Sequence, residues 1–432
     1  MTSPASSALF TDSYELTMVA AALRNGTAGR HCTFEVFART LPHGRRYGVV
    51  AGIGRLVQLV AEFRFGPEQL AAVEHTTDST TLQWLRGYRF GGDLEGYREG
   101  ELYFPGSPVL TVSGTFAECV LLETLVLSVL NHDSAVASAA ARMVSAAGGR
   151  RLIEMGSRRT HEEAAVASAR AAYLAGFDAT SNLEAGRRHG VPTSGTSAHA
   201  FTLLHTDAEG PDEAAAFRAQ VDALGVGTTL LVETYDITRG IETAVAVAGP
   251  RLGAVRIDSG DLGVLATQAR AQLDALGATS TRVVLSGDLD EHSIAALRAE
   301  PVDAYGVGTA LVTGSGAPTA GMVYKLVEVD GVPVAKRSSH KASRGGAKRA
   351  LRRARDTGTV VEEVVYPASG PPTPGEHDRA LIVPLLRAGV PVPGLATLQD
   401  SRAHLAAALV SLPWEGLKLS SGEAAISTTF LG

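Results

Sequence analysis

The residues best suited to chemistry lie in the stretch "VRIDSGDLG", where an arginine and two aspartates surround a Ser-Gly turn. Asp258 and Asp261 could hold a hydrated Mg²⁺ ion or bond the hydroxyls of a sugar, because carboxylate oxygens suit both ligands. Arg256 could bind an anion through two parallel hydrogen bonds. The alternative is a plain turn after a strand, with an aspartate capping the next helix and Arg256 on the surface.

Glycine-rich turns follow in the next two segments, "LSGDLD" and "YGVGTALVTG", and each precedes a helical run. Backbone N–H groups at such a turn can hold a phosphate. One glycine turn is weak evidence, but two such turns at neighbouring strand ends favour a phosphate site. The candidate phosphate-binding residues of these turns are Gly287, Asp288, Gly306, Gly308 and Thr309.

Other polar residues also follow apolar runs. The segment "EMGSRRTHEE" places Arg158 beside Arg159, which suits binding of a carboxylate or a phosphate. A solvated helix start, paired with the glutamates that follow, would explain the two arginines equally simply. His199 in "PTSGTSAHAF" would by itself be a structural histidine, and Ser181 and Asp236 could be ordinary helix caps. Taken as a series, these residues favour one shared site.

A scaffold must bring these residues together. Between about residues 150 and 315, short apolar runs alternate with helical runs that often end in glycine. This alternation is typical of βα units around a parallel sheet, and the number of units favours a barrel over an open sheet. Loops after the strands of such a fold share one active-site face, so the polar residues are predicted to share one rim. The predicted fold class is therefore α/β, an incomplete, TIM-like α/β barrel with an N-terminal α+β domain.

The chain is predicted to divide into an N-terminal α+β domain (1–115), a barrel domain (116–330) and a C-terminal extension (331–432), part of which completes the first domain. Residues 324–367 are predicted to form two hairpins with a basic connection. Most of the charges in that connection could simply be solvated.

Three lysines of this region, Lys325, Lys336 and Lys341, could nevertheless reach a polyphosphate. Sequence alone leaves open which of the basic side chains between 336 and 355 would make that contact.

Composition excludes several functions. The chain has 432 residues and a net charge of −6, with no strongly basic half, which argues against a nucleic-acid binder. Its two cysteines cannot build a zinc ribbon or a disulfide framework, so a reduced cytoplasmic setting is expected. The N-terminus lacks the pattern of a signal peptide. The apolar stretch 118–149 is interrupted by polar residues, so we predict a buried helix and no membrane span.

At this point the sequence resembles a known family. Between Leu9 and about Arg353 it carries, in order, the motifs of nicotinate phosphoribosyltransferases: "LFTDSYELTM", "EMGSRRTHEEAA", "GFDATSN", "GTSAHAF", "ETYD", "RIDSGDL", "YGVGT" and "KRSSHKASRGGAKRA". The resemblance implies the type II phosphoribosyltransferase fold and a homodimer whose active sites are shared between subunits. It implies the reaction of nicotinate with 5-phosphoribosyl 1-pyrophosphate, giving nicotinate mononucleotide and pyrophosphate for the salvage synthesis of NAD. ATP as a co-substrate and Mg²⁺ carried by the phosphates are also implied, and zinc is not expected.

The resemblance also implies roles for individual residues. Tyr14 would stack on the pyridine ring from the partner subunit, and Arg158 would meet the nicotinate carboxylate or stack beside it. Ser181 stands where enzymes for nicotinamide carry an acid, so a neutral side chain favours nicotinate. His199 would take a phosphoryl group from ATP as a covalent intermediate. Arg256 would bind nicotinate and also face the ribose and pyrophosphate. The remaining residues that would face ribose, pyrophosphate or phosphate are Arg159, Asp236, Asp258, Asp261, Gly287, Asp288, Gly306, Gly308, Thr309, Lys325, Lys336 and Lys341.

Four other functions stay open at this stage. The nicotinamide enzyme is disfavoured by Ser181, and the quinolinate enzyme would need more basic groups and would not need His199. A catalytically inactive relative that serves as a binding protein should have lost part of the site. An unrelated barrel enzyme acting on a phosphosugar is the last alternative.

Overall fold

The structure is a computed structural model that describes residues 6–336 and 343–431. Lys341, one of the predicted polyphosphate contacts, therefore lies outside the described residues. The α-helices of the described part are α1 (Ser13–Arg24), α2 (Ile53–Ala61), α3 (Pro67–Val73), α4 (Ser79–Gly87), α5 (Phe116–Val120), α6 (Glu123–Ala147), α7 (Glu162–Ala175), α8 (Leu183–His189), α9 (His199–Leu204), α10 (Glu213–Leu224), α11 (Ile237–Ala248), α12 (Leu262–Ala275), α13 (Glu291–Ala296), α14 (Thr309–Val312) and α15 (Leu398–Val410).

The strands of the described part are β1 (His31–Ala38), β2 (Gly48–Val49), β3 (Asp93–Tyr97), β4 (Leu102–Tyr103), β5 (Leu110–Thr115), β6 (Arg151–Glu154), β7 (Ala179–Thr180), β8 (Thr206–Asp207), β9 (Gly210–Pro211), β10 (Thr229–Leu231), β11 (Ala254–Ile257), β12 (Arg282–Gly287), β13 (Ala304–Val307), β14 (Met322–Val329), β15 (Val332–Pro333), β16 (Lys348–Ala354), β17 (Val360–Pro367), β18 (Arg379–Ala380), β19 (Ile382–Arg387), β20 (Val390–Pro391) and β21 (Ser427–Phe430).

The chain forms two compact units. The first comprises the residues up to Ser138 and from Ala317 onward, and the second is Ala139–Gly316. These limits differ from the predicted boundaries at 115 and 330. The first limit falls inside α6, a continuous helix that gives no local sign of a boundary. By length and composition the stretch Phe116–Ala147 could cross a membrane, but 67% of its most apolar window is buried inside the structure, as in a core helix.

The first unit contains a mainly antiparallel sheet in the order β15-β14-β1-β5-β3-β19-β20 and a smaller sheet in the order β18-β16-β17-β21. On β1, Phe34 and Val36 point into the core, where the Phe34 ring stacks on Tyr324 at a centroid distance of 4.8 Å. Glu35 of the same strand is also buried, and its Oε2 lies 3.1 Å from Lys348 Nζ. Burial raises the pKa of Glu35 to about 7, although Lys348 acts in the opposite direction.

The second unit is built on a parallel sheet in the order β10-β11-β12-β13-β6-β7. Its strands are short apolar runs whose Val, Ile and Leu side chains are buried, as expected when helices cover a parallel sheet. A helix follows each strand along the chain. Within the described residues, β7 and β10 do not pair with each other, so the sheet stays a half-barrel. The predicted α/β fold with an incomplete barrel is confirmed.

Candidate active site

The carboxyl ends of the parallel strands carry polar residues in matching register. Leu231 of β10 lies opposite Arg256 of β11, which in turn lies opposite Val284 of β12. The residues two positions beyond these partners are Glu233, Asp258 and Ser286. Because successive side chains of a strand alternate between its faces, residues at equal offset project in the same sense from neighbouring strand ends. The register therefore places these three polar side chains side by side at one edge of the sheet.

Arg256, Asp258 and Ser286 form one hydrogen-bonded cluster at this edge. Arg256 Nε donates to Ser286 Oγ at 2.7 Å, and Arg256 Nη2 lies 3.1 Å from Asp258 Oδ1. The Ser286 hydroxyl donates in turn to Asp258 Oδ1. Ser286 is buried and the Arg256 side chain is only 13% exposed, so Arg256 does not lie on the surface. One hydroxyl thus fixes the orientation of both charged groups.

A second cluster connects His199 to the loop after β11. His199 Nε2 lies 3.5 Å from Glu233 Oε1, and its Nδ1 lies 3.2 Å from Thr234 Oγ1. The other oxygen of Glu233 accepts hydrogen bonds from the backbone N–H groups of Asp258 at 2.7 Å and Ser259 at 2.9 Å. The Glu233 side chain is 4% exposed, whereas that of His199 is 44% exposed. The imidazole is therefore accessible to a reactant and has a buried carboxylate beside it.

These clusters also contain a possible cation site. Ligand atoms of His199, Glu233 and Asp258 all lie within 4.8 Å of one another. Mg²⁺ prefers oxygen ligands, keeps several waters and is often bound by one or two carboxylates together with substrate phosphates. The two carboxylates suit that mode of binding, whereas the imidazole is a more typical ligand for transition metals.

A cavity of about 350 Å³ opens beside the arginine cluster. It brings together Arg158, Ser181 and Arg256, which were predicted from the sequence to bind the acceptor. Side chains of Met155 and Val284 supply apolar wall to the same cavity. A flat aromatic acid fits this lining, because its ring needs apolar contacts and its carboxylate needs a guanidinium. The remaining lining residues are Ile153, Ser157, Ser194, Gly195, Thr196, Ser197 and Thr229.

A smaller and more polar cavity of about 210 Å³ adjoins the first. Gly287 in its wall has a φ of 137°, and a Cβ there would lie 2.9 Å from the Asp258 carbonyl oxygen, so only glycine fits without strain. A Cβ on Gly306 would lie 2.7 Å from Met155 Sδ. The predicted phosphate and ribose residues that line this cavity are Arg159, Asp258, Gly287, Asp288, Gly306, Gly308 and Thr309.

Three residues, Met155, Arg158 and Arg256, line both cavities. The two cavities therefore meet at these side chains. A reactant in the larger cavity would touch a reactant in the smaller one at this junction, with the Asp258 carboxylate nearby.

Glu154 holds two of the loops around the larger cavity. It is fully buried at the end of β6, and it accepts hydrogen bonds from the backbone N–H of Gly156 and from the Thr180 hydroxyl. Its carbonyl oxygen accepts from the backbone N–H of Ser181 at 2.8 Å. Burial raises the pKa of the Glu154 carboxyl above its usual value. These contacts tie the loop before Arg158 to the strand end that presents Ser181.

Two predicted site residues serve as helix caps in the structure. Asp236 Oδ1 accepts from Arg239 N at 2.8 Å and begins α11, while Asp261 Oδ1 accepts from Val264 N at 3.3 Å and begins α12. Both are exposed, and neither lines the two cavities. In the structure, the hydrogen bonds of Asp236 and Asp261 are therefore those of helix caps, as the alternative interpretation of the sequence allowed.

The remaining predicted residues belong to the first unit. Tyr14 on α1 is 46% exposed, and its pKa is raised to about 12 by partial burial and by the neighbouring carboxylates, of which Glu123 contributes most. The positive charge of Lys325 lowers the pKa of Glu123 against the larger effect of burial, so Tyr14 and Lys325 both interact with one carboxylate. Lys336 is exposed, and its backbone N–H donates to Ser343 Oγ at 3.1 Å.

Comparisons with known proteins agree with this geometry. The family model of the nicotinate phosphoribosyltransferase N-terminal domain matches residues 9–131, and the model of the nicotinate phosphoribosyltransferase family matches residues 150–360. The chain belongs to the nicotinate phosphoribosyltransferase family. The family resemblance and the predicted enzyme class are thereby confirmed.

Individual members of the nicotinate phosphoribosyltransferase family cover nearly the whole chain. Nicotinate phosphoribosyltransferase pncB1 of Mycobacterium tuberculosis is 68% identical over 423 residues, 97% of this chain and 94% of that protein. The Bacillus subtilis enzyme is 38% identical over 333 residues, 74% of this chain and 67% of that protein. The crystal structure of human nicotinic acid phosphoribosyltransferase superposes with a TM-score of 0.84 at 28% identity and covers 97% of both chains.

Sequence reasoning missed three residues of this phosphoribosyltransferase site. Ser286, Glu233 and Met155 were present in quoted motifs but received no role. Ser286 and Glu233 stand at strand ends, which is the one signal that could have found them. Met155 is an apolar residue at such an end, and only its place at the junction of the two cavities draws attention to it.

Proposed function

We propose that this enzyme joins nicotinate to 5-phosphoribosyl 1-pyrophosphate in the salvage synthesis of NAD, and couples the step to ATP hydrolysis through a phosphohistidine at His199. The observation that carries the proposal is the pair of cavities that meet at Met155, Arg158 and Arg256. One cavity suits a planar acid and the other suits a phosphorylated sugar, which is what a phosphoribosyl transfer needs.

The larger cavity would bind nicotinate. Arg158 and Arg256 supply guanidinium groups for its carboxylate, and Ser181 adds no charge that would repel it. For the reaction, the ring nitrogen of the bound acceptor would have to face the ribose carbon of the donor held in the smaller cavity. Fixing both reactants in this way supplies much of the rate enhancement by itself.

The smaller cavity would bind the phosphoribosyl group. Backbone N–H groups of the turns at Gly287 and Gly306 suit the 5-phosphate. At the junction the bond from the ribose C1 carbon to the pyridine nitrogen forms, while the bond to the pyrophosphate oxygen breaks and pyrophosphate leaves with the electron pair. Positive charge develops on the ribose ring during this displacement, and the Asp258 carboxylate, which lines the cavity, would stabilise it.

Mg²⁺ is proposed to enter with the phosphates of the two phosphorylated substrates, with Glu233 and Asp258 as candidate carboxylate ligands. When bound, the ion would neutralise charge on the departing pyrophosphate. The predicted homodimer with shared sites and the cytoplasmic location stay predictions, as does the absence of nucleic-acid and membrane partners.

His199 is proposed as the phosphoryl acceptor because its accessible imidazole is a competent nucleophile held by Thr234 and Glu233. ATP would transfer its terminal phosphoryl group to a ring nitrogen and leave as ADP, and water would later hydrolyse the phosphoramidate to free histidine and inorganic phosphate. The nucleophile does not touch the glycosidic bond in this scheme. Its task is to make the energy of ATP available to substrate binding.

The test is product analysis with nicotinate, 5-phosphoribosyl 1-pyrophosphate, Mg²⁺ and ATP, and with each component left out in turn. Formation of nicotinate mononucleotide only when nicotinate and the phosphoribosyl donor are both present is expected. In His199→Asn, we expect slow synthesis that ATP no longer stimulates, whereas the exposed His292→Asn in the same unit should behave as the wild type. Unchanged ATP stimulation in His199→Asn would refute the phosphohistidine.

A further inference from the structure

Glu233 contacts two parts of the site through its two oxygens. Oε1 faces the His199 imidazole at 3.5 Å, and Oε2 accepts from the backbone N–H groups of Asp258 and Ser259 and from the Ser259 hydroxyl at 3.1 Å. Among the described residues, Glu233 is the side chain that accepts from both of these backbone N–H groups. A rigid carboxylate thus stands between the histidine and the loop that carries Asp258.

We propose that Glu233 is a positioning residue that transmits the phosphorylation of His199 to the loop 258–260. This inference rests on the proposed phosphohistidine. The Glu233 side chain is buried, so it has little room to escape a new negative charge at the imidazole.

The physical cause is repulsion between like charges. A phosphoryl group brings nearly two negative charges and several strong acceptor oxygens to a position next to Glu233 Oε1. Because the Glu233 carboxylate is buried, solvent screens this repulsion less than it would between two exposed groups. The carboxylate must therefore shift away from the phosphoryl group, and its hydrogen bonds to the loop weaken as it does so.

The loop 258–260 connects Glu233 to both substrate cavities. Asp258 lines the phosphoribosyl cavity and is bound to Arg256, which also lines the acceptor cavity. Releasing the N–H groups of Asp258 and Ser259 gives the site two donors for the anionic phosphoribosyl substrate. The change at His199 is thereby converted into tighter substrate binding, and by linkage bound substrate should favour the phosphorylated enzyme equally.

The experiment compares the KM for 5-phosphoribosyl 1-pyrophosphate without ATP and with ATP, and uses the ratio of the two values as the measure of coupling. Labelling of His199 from γ-³²P-ATP is followed in the same samples. In Glu233→Gln, which keeps the shape but loses the charge, we expect labelling to persist while the ratio falls at least about fivefold toward 1. The matched control is Glu242→Gln, an exposed glutamate on α11, which should keep the wild-type ratio.

A second variant covers the case in which Glu233→Gln fails to fold. Ser259→Ala removes one contact to Oε2 and leaves the carboxylate in place, so its ratio should fall by a smaller factor. A wild-type ratio in Ser259→Ala, or in a folded Glu233→Gln, would overturn the inference. A wild-type enzyme that shows neither labelling nor an ATP effect would refute the proposed function itself.

Discussion

Replacing Ser286 by alanine should impair catalysis far more than the loss of one small side chain suggests. The Ser286 hydroxyl accepts from Arg256 Nε at 2.7 Å and donates to Asp258 Oδ1, so Ser286→Ala removes two contacts to charged groups. Hydrogen bonds to charged groups contribute about 1.5–3 kcal/mol each. The Arg256–Asp258 contact at 3.1 Å survives the substitution, and water can replace part of the loss at Arg256. A net loss of about 2 kcal/mol in the transition state corresponds to a fall in kcat/KM of about 30-fold.

The assay is steady-state synthesis of nicotinate mononucleotide, with kcat and KM determined for both substrates. The control is Ser145→Ala in α6, where the hydroxyl donates to the Ala141 carbonyl oxygen at 3.0 Å and kcat/KM should be unchanged. Thermal unfolding of both variants checks that the fold is intact. A kcat/KM for Ser286→Ala within about twofold of the wild type would refute the argument that one hydroxyl orients both charged groups.

Three more predictions concern other parts of the chain. Ser181→Asp should raise the KM for nicotinate at least about tenfold through charge repulsion in the acceptor cavity, and an unchanged KM would contradict that placement. If the active sites are shared between subunits, equal mixing of Tyr14→Ala and Arg158→Ala subunits should restore about a quarter of the wild-type activity. Half of the dimers are then hybrids, and each hybrid has one intact site of two. No recovery after proven subunit exchange would speak against shared sites. Burial raises the pKa of Glu35 to about 7, so its contribution to the free energy of unfolding is complete below the pKa of the unfolded chain and is lost as pH rises through about 7. Urea unfolding of Glu35→Gln between pH 5 and 8 should therefore show a flatter decline than the wild type, and an equal slope would refute the assignment.

Local sequence patterns predicted the second unit well, because the strands and helices of parallel βα units have recognisable local patterns. Buried strands appear as short apolar runs, and helices that end in glycine do so because the residue after the last turn adopts a positive φ, as at Gly190 (67°) and Gly249 (77°). The two hairpins predicted for 324–367 correspond to the antiparallel pairs β14–β15 and β16–β17. Such features depend on residues close together in the chain.

The limits of the two units could not be predicted in the same way. Helix α6 continues through residue 138 without a turn signal, so nothing local separates the units there. At the second limit, β14 belongs to the first unit because it pairs with β1, which lies nearly three hundred residues earlier in the chain. Val36 of β1 lies opposite Tyr324 of β14. Pairing at that separation depends on packing of the whole unit, which composition and periodicity do not encode.

The same distinction explains which site residues were found. Arg256, Asp258 and the glycine turns lie within single motifs whose chemistry can be read locally. Glu233 and Ser286 gain their roles only from register, since Glu233 lies two residues beyond Leu231 and Ser286 two beyond Val284, both at the level of Asp258. A slip of one residue in either strand pair would turn these side chains to the opposite face and leave every motif unchanged. The motifs therefore specify which groups the site contains, whereas the register of the sheet determines which groups contact one another. The proposed coupling of His199 to Asp258 through Glu233 depends on that register.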